Sequence, residues 1–217
     1  MREGYLLVPD AISAPLLARL RQRFESTNAQ RRGGMRNALD VEEVREAVEA
    51  MRPVAARLAD EPVVRCVRGI VFDKTPEANW KVAWHQDRSI AVAAKAEREG
   101  FGPWSEKRGV VHVEPPPRIL EKMITLRLHL DDCTDDTGPL RVIPSSHRYG
   151  ILSDDRISAA RESAQVTLTC AAGDVIAMRP LLLHASSAAV LPGRRRVVHL
   201  EFSRDDLPAP LAWRWCV

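Results

Sequence analysis

The stretch Trp84-His85-Gln86-Asp87 carries the first sign of chemistry in the sequence. In an extended strand successive side chains alternate between faces, so His85 and Asp87 project together and can hold one metal ion. A single His-x-Asp arises often by chance. It gains weight from His184, at the end of Leu181-Leu182-Leu183-His184, and from Arg195 eleven positions further on. Two histidines and one carboxylate on one side of an iron leave the opposite positions open, a facial arrangement suited to oxygen chemistry at Fe(II).

The chain that must bring these groups together has 217 residues and 45% hydrophobic content, enough to bury a core within one domain spanning 1–217. Its charges are mixed in sign and sum to +3, and the densest basic cluster, Arg194-Arg195-Arg196, is too short for a nucleic-acid arm. Four cysteines form no C-x-x-C pair, and the N-terminus has no charged start followed by an apolar run. The apolar run 181–191 is interrupted by His184 and two serines and falls short of the roughly 20 residues of a membrane span. A reduced, cytoplasmic protein without a membrane segment is expected.

Residues 1–62 read as helical. Ser13-Ala14-Pro15 is an N-cap followed by an early-turn proline, and Leu16, Leu17, Leu20 and Phe24 recur at helical spacing. Residues 31–37 form a loop, either a solvated connector or a substrate-facing lid. Asp40 with Glu43 resembles a capping box for a second helix carrying Val41, Val44, Val48 and Met51. Pro53 is expected to break it, with a third short helix running to Asp60.

Residues 63–217 read as a β core. β-Branched residues dominate 63–72, and 124–130 alternates with period two, so that Thr125, Arg127 and His129 share a polar face that either lines a pocket or meets solvent. Arg127 is the candidate on that face for substrate contact. Residues 195–202 place Val198, Leu200 and Phe202 on one side and Arg195, Val197, His199 and Glu201 on the other. Between strands, 93–118 is rich in Gly, Pro and charge and reads as an irregular insertion forming a lid over the site. His112 and the triple proline within it read as loop structure or part of that lid. Lys74, Asn79 and Lys81 read as solvated flanks. Helices first and then strands without βαβ alternation predict an α+β chain, mostly β, with the helices packed on one side of an antiparallel barrel.

Fe(II) held by two imidazoles and a carboxylate keeps open positions for a 2-oxo acid and O2. Ser186 shares a strand face with His184 and offers a hydroxyl to a carboxylate. Arg195 offers a planar two-point grip on the far carboxylate of a dicarboxylic cosubstrate. Its face matches that of His199, which distinguishes it from Arg194 and Arg196.

Over residues 70–203 the chain resembles the phytanoyl-CoA dioxygenase-like Fe(II)/2-oxoglutarate oxygenases. The resemblance rests on Trp84-His85-Gln86-Asp87, Gly138-Pro139-Leu140, Ile143-Pro144-Ser145-Ser146-His147, Gly173-Asp174, His184-Ala185-Ser186 and Arg195. It implies a double-stranded β-helix, a jelly-roll or cupin-like barrel. Iron would sit on His85, Asp87 and His184, and 2-oxoglutarate on Arg195 and Ser186. Trp104, nineteen residues after His85, is similar to the family's tryptophan near the cosubstrate. The family's Pro-Gly-Ser-His turn appears here as Pro144-Ser145-Ser146-His147, a departure in a turn rather than at the metal, which assigns His147 to the turn. Related halogenases lack the aspartate, so Asp87 implies hydroxylation or a related oxidation, with 2-oxoglutarate decarboxylated to succinate.

Two alternatives stay open. His199-x-Glu201 is a rival dyad at the same spacing, and the whole chain could be a non-catalytic or sensory metal-binding barrel. Arg31, Arg32, Arg36 and Lys81 hint at an acidic group on the substrate. A small metabolite or natural-product intermediate is the expected substrate, and the chain is expected to act as a monomer or homodimer.

Overall fold

The structure, a computed structural model, describes residues 1–25, 34–191 and 193–217. The first helix, α1 (Ala14–Arg23), begins where expected. Ser13 Oγ accepts from the Leu16 amide at 3.5 Å, Pro15 sits in the first turn, and Leu16 and Leu20 are buried. The second, α2 (Glu42–Ala59), buries Val44, Ala47, Val48, Met51 and Ala55 along one stripe. It runs straight through Pro53, contrary to the expected break into two helices. The proline ring costs about 3 kcal/mol in a helix interior, and the buried stripe continues on both sides of it to offset that loss. The capping box is also absent. Asp40 lies in the preceding 3-10 turn (Ala38–Asp40), and its carboxylate accepts from Trp215 Nε1 at 3.0 Å.

The strands are β1 (Tyr5–Val8), β2 (Arg65–Lys74), β3 (Val82–His85), β4 (Ile90–Val92), β5 (Trp104–Lys107), β6 (Val110–Val113), β7 (Ile124–His129), β8 (Leu140–Val142), β9 (Val166–Leu168), β10 (Val175–Met178), β11 (His184–Ser186) and β12 (Arg195–Ser203). A five-stranded antiparallel sheet takes the order β1-β10-β7-β12-β2, and a four-stranded one takes β3-β11-β8-β9. Neighbours in these sheets are distant in sequence. Strands β2, β7 and β12 of the first line the same cavity as β3, β8 and β11 of the second, so the sheets face one another as the two walls of a jelly roll. The architecture is α+β and mostly β, as expected.

All nine residues of β12 are buried because both its faces are covered. Val198, Leu200 and Phe202 join Val44, Val48 and Met51 in the main core under the helices. Arg195 and His199 face the cavity instead. The Thr125, Arg127 and His129 face of β7 is likewise buried and meets no open solvent.

Residues 93–118 are more regular than their composition suggests. Strands β5 and β6 form a hairpin that adds to β4 as a three-stranded sheet, and Pro117 opens the short helix α3 (Pro117–Leu120). Ile90, Val92, Val113 and Leu120 anchor this unit in a second apolar cluster. His112 is a fully buried strand residue, its Nδ1 within 2.8 Å of the Val110 carbonyl. A last helix, α4 (Asp154–Ala160), starts at Ser153 and precedes β9.

Candidate active site

Strands β3 and β11 lie side by side with His85 opposite His184 in register. Just beyond β3, the Asp87 amide donates to the Pro180 carbonyl at 2.9 Å, which holds the carboxylate beside both rings. Asp87 Oδ1 is 3.8 Å from His85 Nε2, and Oδ2 is 3.7 Å from His184 Nε2. These separations are shorter than twice a metal–ligand bond of roughly 2.1 Å, so one ion can touch all three. Each histidine is aimed the same way, with His85 Nδ1 2.8 Å from the Ala83 carbonyl and His184 Nδ1 2.8 Å from the Leu182 carbonyl. The protonated Nδ1 donates, leaving Nε2 as the free lone pair, which is how a second partner prepares a histidine ligand.

The electrostatics agree with that donor set. Burial, with His85 beside it, pushes His184 down to about 3, so its ring is neutral. Burial alone would raise the Asp87 carboxyl, but His184, His199, His85 and Arg68 outweigh it and hold it well below the ordinary range. Asp87 Oδ2 is buried without a hydrogen-bond partner among the described residues. A neutral imidazole and an unsatisfied carboxylate oxygen at this spacing fit a divalent cation.

Gln86 turns its carboxamide elsewhere. It donates to the carbonyls of Leu181 (2.7 Å) and Gly150 (2.8 Å) and accepts from the Leu152 amide (2.9 Å). Trp84 packs with the Ile143 and Leu183 cluster. The alternation inferred from sequence therefore holds through this stretch.

The cavity next to His85, Asp87 and His184 measures about 320 Å3. Arg195 lines it, only 5% exposed and with no carboxylate partner among the described residues, whereas Arg194 pairs with Asp73 at 2.9 Å and Arg196 with Asp131 at 2.7 Å. Lys74 stands opposite Arg195 in register, and its Nζ donates to Ser186 Oγ at 2.7 Å. It is buried, not a solvated flank; burial, with Arg195 and Arg127 nearby, lowers it to about 7. Trp80 lies against it, the ammonium 5.7 Å from the ring centroid. Trp104 does not enter this cavity. Its place on β5, opposite Val113, packs it into the second apolar cluster, so Trp80 is the tryptophan at this end.

The rival dyad has another role. Arg127 Nη1 donates to His199 Nδ1 (3.0 Å), His199 Nε2 donates to Glu201 (3.2 Å), and Arg68 donates to the same Glu201 oxygen (3.0 Å). This buried chain fixes Arg127 across the cavity floor and leaves Glu201 charge-paired. Arg36 and Lys107 also line the cavity, the latter from the tip of the β5–β6 hairpin. Burial and then Arg68 lower Arg36 to about 10. Arg31 and Arg32 lie outside the described residues, and Lys81 is exposed.

Sequence reasoning missed Lys74, Trp80 and Arg68. Lys74 and Arg68 were within reach of the alternation rule, since they share the inward face of β2 with Ile70 and Phe72. The partnership of Lys74 with Arg195 required the sheet register.

The family described as phytanoyl-CoA dioxygenase (PhyH) matches residues 1–197. An L-proline trans-4-hydroxylase of Streptomyces griseoviridis is 26% identical, the match covering 94% of this chain and 83% of that protein. Among solved structures, the non-haem alpha-ketoglutarate-dependent carbocyclase SnoK of nogalamycin biosynthesis superposes with a TM-score of 0.69 at 15% identity, covering 94% of this chain and 81% of that one. The epimerase SnoN of the same pathway gives 0.67 at 19% identity, covering 93% and 77%. Both likenesses show the shared fold. Among the described residues no helix is long and apolar enough to cross a membrane.

Proposed function

The chain belongs to the phytanoyl-CoA dioxygenase family, and on that premise we propose that it is an Fe(II)- and 2-oxoglutarate-dependent hydroxylase of a small acidic molecule. The observation that carries this reading is the meeting of the His85, Asp87 and His184 donor atoms beside a buried Arg195 that has no carboxylate partner among the described residues. Bound Fe(II) supplies the oxidising chemistry that couples O2 and decarboxylation of 2-oxoglutarate to succinate with oxygen insertion into a substrate C–H bond.

The side chains divide the remaining work. His85 and His184 present Nε2, and Asp87 presents its carboxylate, to one ion. Arg195 grips the far carboxylate of 2-oxoglutarate in a planar fork, with Ser186 and Lys74 completing the anion site. Arg127, held by His199, stands where it can orient either acid. Arg36 and Lys107 form a second cationic group suited to a carboxylate on the substrate. A cavity of about 320 Å3 lies at the lower end of ligand-pocket sizes, which favours a small metabolite or natural-product intermediate. The similar proline hydroxylase is named for a substrate of that kind.

The test is oxygen-dependent succinate release from Fe(II)-supplied protein with 2-oxoglutarate and a panel of small carboxylic acids, L-proline included. Release stimulated by one panel member and abolished in Asp87→Ala supports the reading. Iron binding without succinate under every condition favours a non-catalytic metal-binding barrel instead.

A further inference from the structure

A second set of metal-ligand side chains lies apart from His85, Asp87 and His184. Strand β7 ends at His129, and a few residues later Cys133 pairs with Cys170 across an isolated antiparallel bridge, through amide–carbonyl bonds of 2.9 and 3.0 Å. The His129 amide donates to the Asp174 carbonyl at 3.0 Å, and its carbonyl accepts from the Gly173 amide at 2.8 Å, which ties the Cys170 loop to the strand end. The backbone thus gathers one imidazole and two thiols whose donor atoms all lie within 4.8 Å of one another.

His129 is fully buried, and neither ring nitrogen reaches a nitrogen or oxygen partner among the described residues; the polar group that faces the ring is the Cys133 thiol, a weak hydrogen-bond partner. A buried imidazole whose polar neighbour is only a thiol is poorly satisfied, and it points to a partner other than protein. A disulfide between Cys133 and Cys170 would account for the thiols and leave His129 unpaired. A metal ion accounts for all three side chains.

We propose that His129, Cys133 and Cys170 form a second metal site that takes zinc or a similarly thiophilic divalent cation. Two sulfurs and one nitrogen without a carboxylate select such ions over iron or magnesium. Binding releases the two thiol protons, so the loaded cluster is neutral and sets no net positive charge against the neighbouring Arg195. Cys133 is 1% exposed whereas Cys170 is partly exposed, so the ion enters, and a water completes its coordination, from the Cys170 side. The Arg195 guanidinium interacts with the Cys133 side chain, so an ion here fixes a neighbour of Arg195 and links this site to the proposed cosubstrate anchor.

Cobalt(II) titration of the full chain tests the assignment, because thiolate-to-cobalt charge transfer in the near ultraviolet reports Co–S bonds whether or not the enzyme turns over. Wild type and His184→Ala should both develop these bands with one equivalent of cobalt, and Cys170→Ser should lose them. Zinc should protect Cys170, the partly exposed thiol of the pair, from a thiol reagent, with chelator restoring its reactivity. Cobalt uptake without thiolate bands overturns the proposal, as does a Cys133–Cys170 disulfide in protein isolated without reductant. Thiolate bands retained in a chain that binds no 2-oxoglutarate would count against the oxygenase reading and leave this site standing.

Discussion

Arg195 is set apart from its two neighbours by the partners it lacks. Arg194 and Arg196 are held by Asp73 and Asp131, so neither can take a ligand anion without breaking an ion pair. Arg195→Lys is predicted to weaken 2-oxoglutarate binding about 10- to 100-fold, the equivalent of about 1.5–3 kcal/mol for a lost charge-assisted bond; titration calorimetry measures it. The inward place of Arg195 was legible in sequence because strand parity puts it with His199. Lys74 was not legible, since a lysine at a strand end looks solvated until the opposite sheet closes over it. Its lowered pKa has a signed consequence. The unfolded chain keeps the Lys74 proton up to about 10.5 and the folded chain sheds it near 7, so across that window folding stability should rise with pH. Below about pH 7 both states hold the proton and the burial penalty is complete. Chemical denaturation of the metal-free protein at neutral and alkaline pH should show this rise, and Lys74→Met should remove it. Affinity for 2-oxoglutarate should move the other way, falling above pH 7 as the ammonium is lost.

At the scale of elements, the site depends on short strands clamped by side chains. Gln86 makes three hydrogen bonds that tie the His85 segment to the loops at Gly150 and Leu181. Gln86→Ala should destabilise the fold by on the order of 2 kcal/mol in denaturant unfolding. The turn at Pro144–His147 carries the departure noticed in the sequence. Ser145, where the family has glycine, adopts φ +64°. A left-handed conformation costs an L-residue roughly 1–2 kcal/mol, and the exposed Ser145–Glu3 hydrogen bond returns little of it. Ser145→Gly should therefore stabilise the protein by about 1 kcal/mol, read as a shift in the urea midpoint. Gly138, at φ +71°, allows no such exchange, because a Cβ would come within 2.5 Å of the Ser187 carbonyl oxygen. Two element-level expectations failed for one physical reason. Pro53 inside α2 and the Gly- and Pro-rich 93–118 are both overruled by burial of apolar faces, Met51 and Ala55 in the first case and Val110 and Val113 in the second, and local propensity does not register that burial.

For the whole molecule, β12 joins the layers, with its Val198, Leu200 and Phe202 in the helix-packed core and its Arg195 and His199 in the cavity. Period-two alternation made both faces of that strand readable, and the jelly roll and the convergence of His85, Asp87 and His184 were foreshadowed by motifs at 85–87, 138–147 and 184–195. The pairings between strands distant in sequence were not readable, and with them went the burial of Lys74, the approach of Cys133 to Cys170, and the displacement of Trp104 by Trp80. Since the helices share a core with the larger sheet, and β10 of that sheet packs on β8 of the smaller one, we propose that residues 1–217 unfold as a single cooperative unit, observed as coincident fluorescence and circular dichroism transitions. The central claim is that His85, Asp87 and His184 hold one iron on which 2-oxoglutarate then depends. Anaerobic calorimetric titration of 2-oxoglutarate into wild-type and His184→Ala protein, each supplied with Fe(II), tests it most directly. The wild type should show one iron-dependent binding site, and the variant neither iron retention nor iron-dependent binding. Equal iron content and equal 2-oxoglutarate affinity in the two proteins would contradict it.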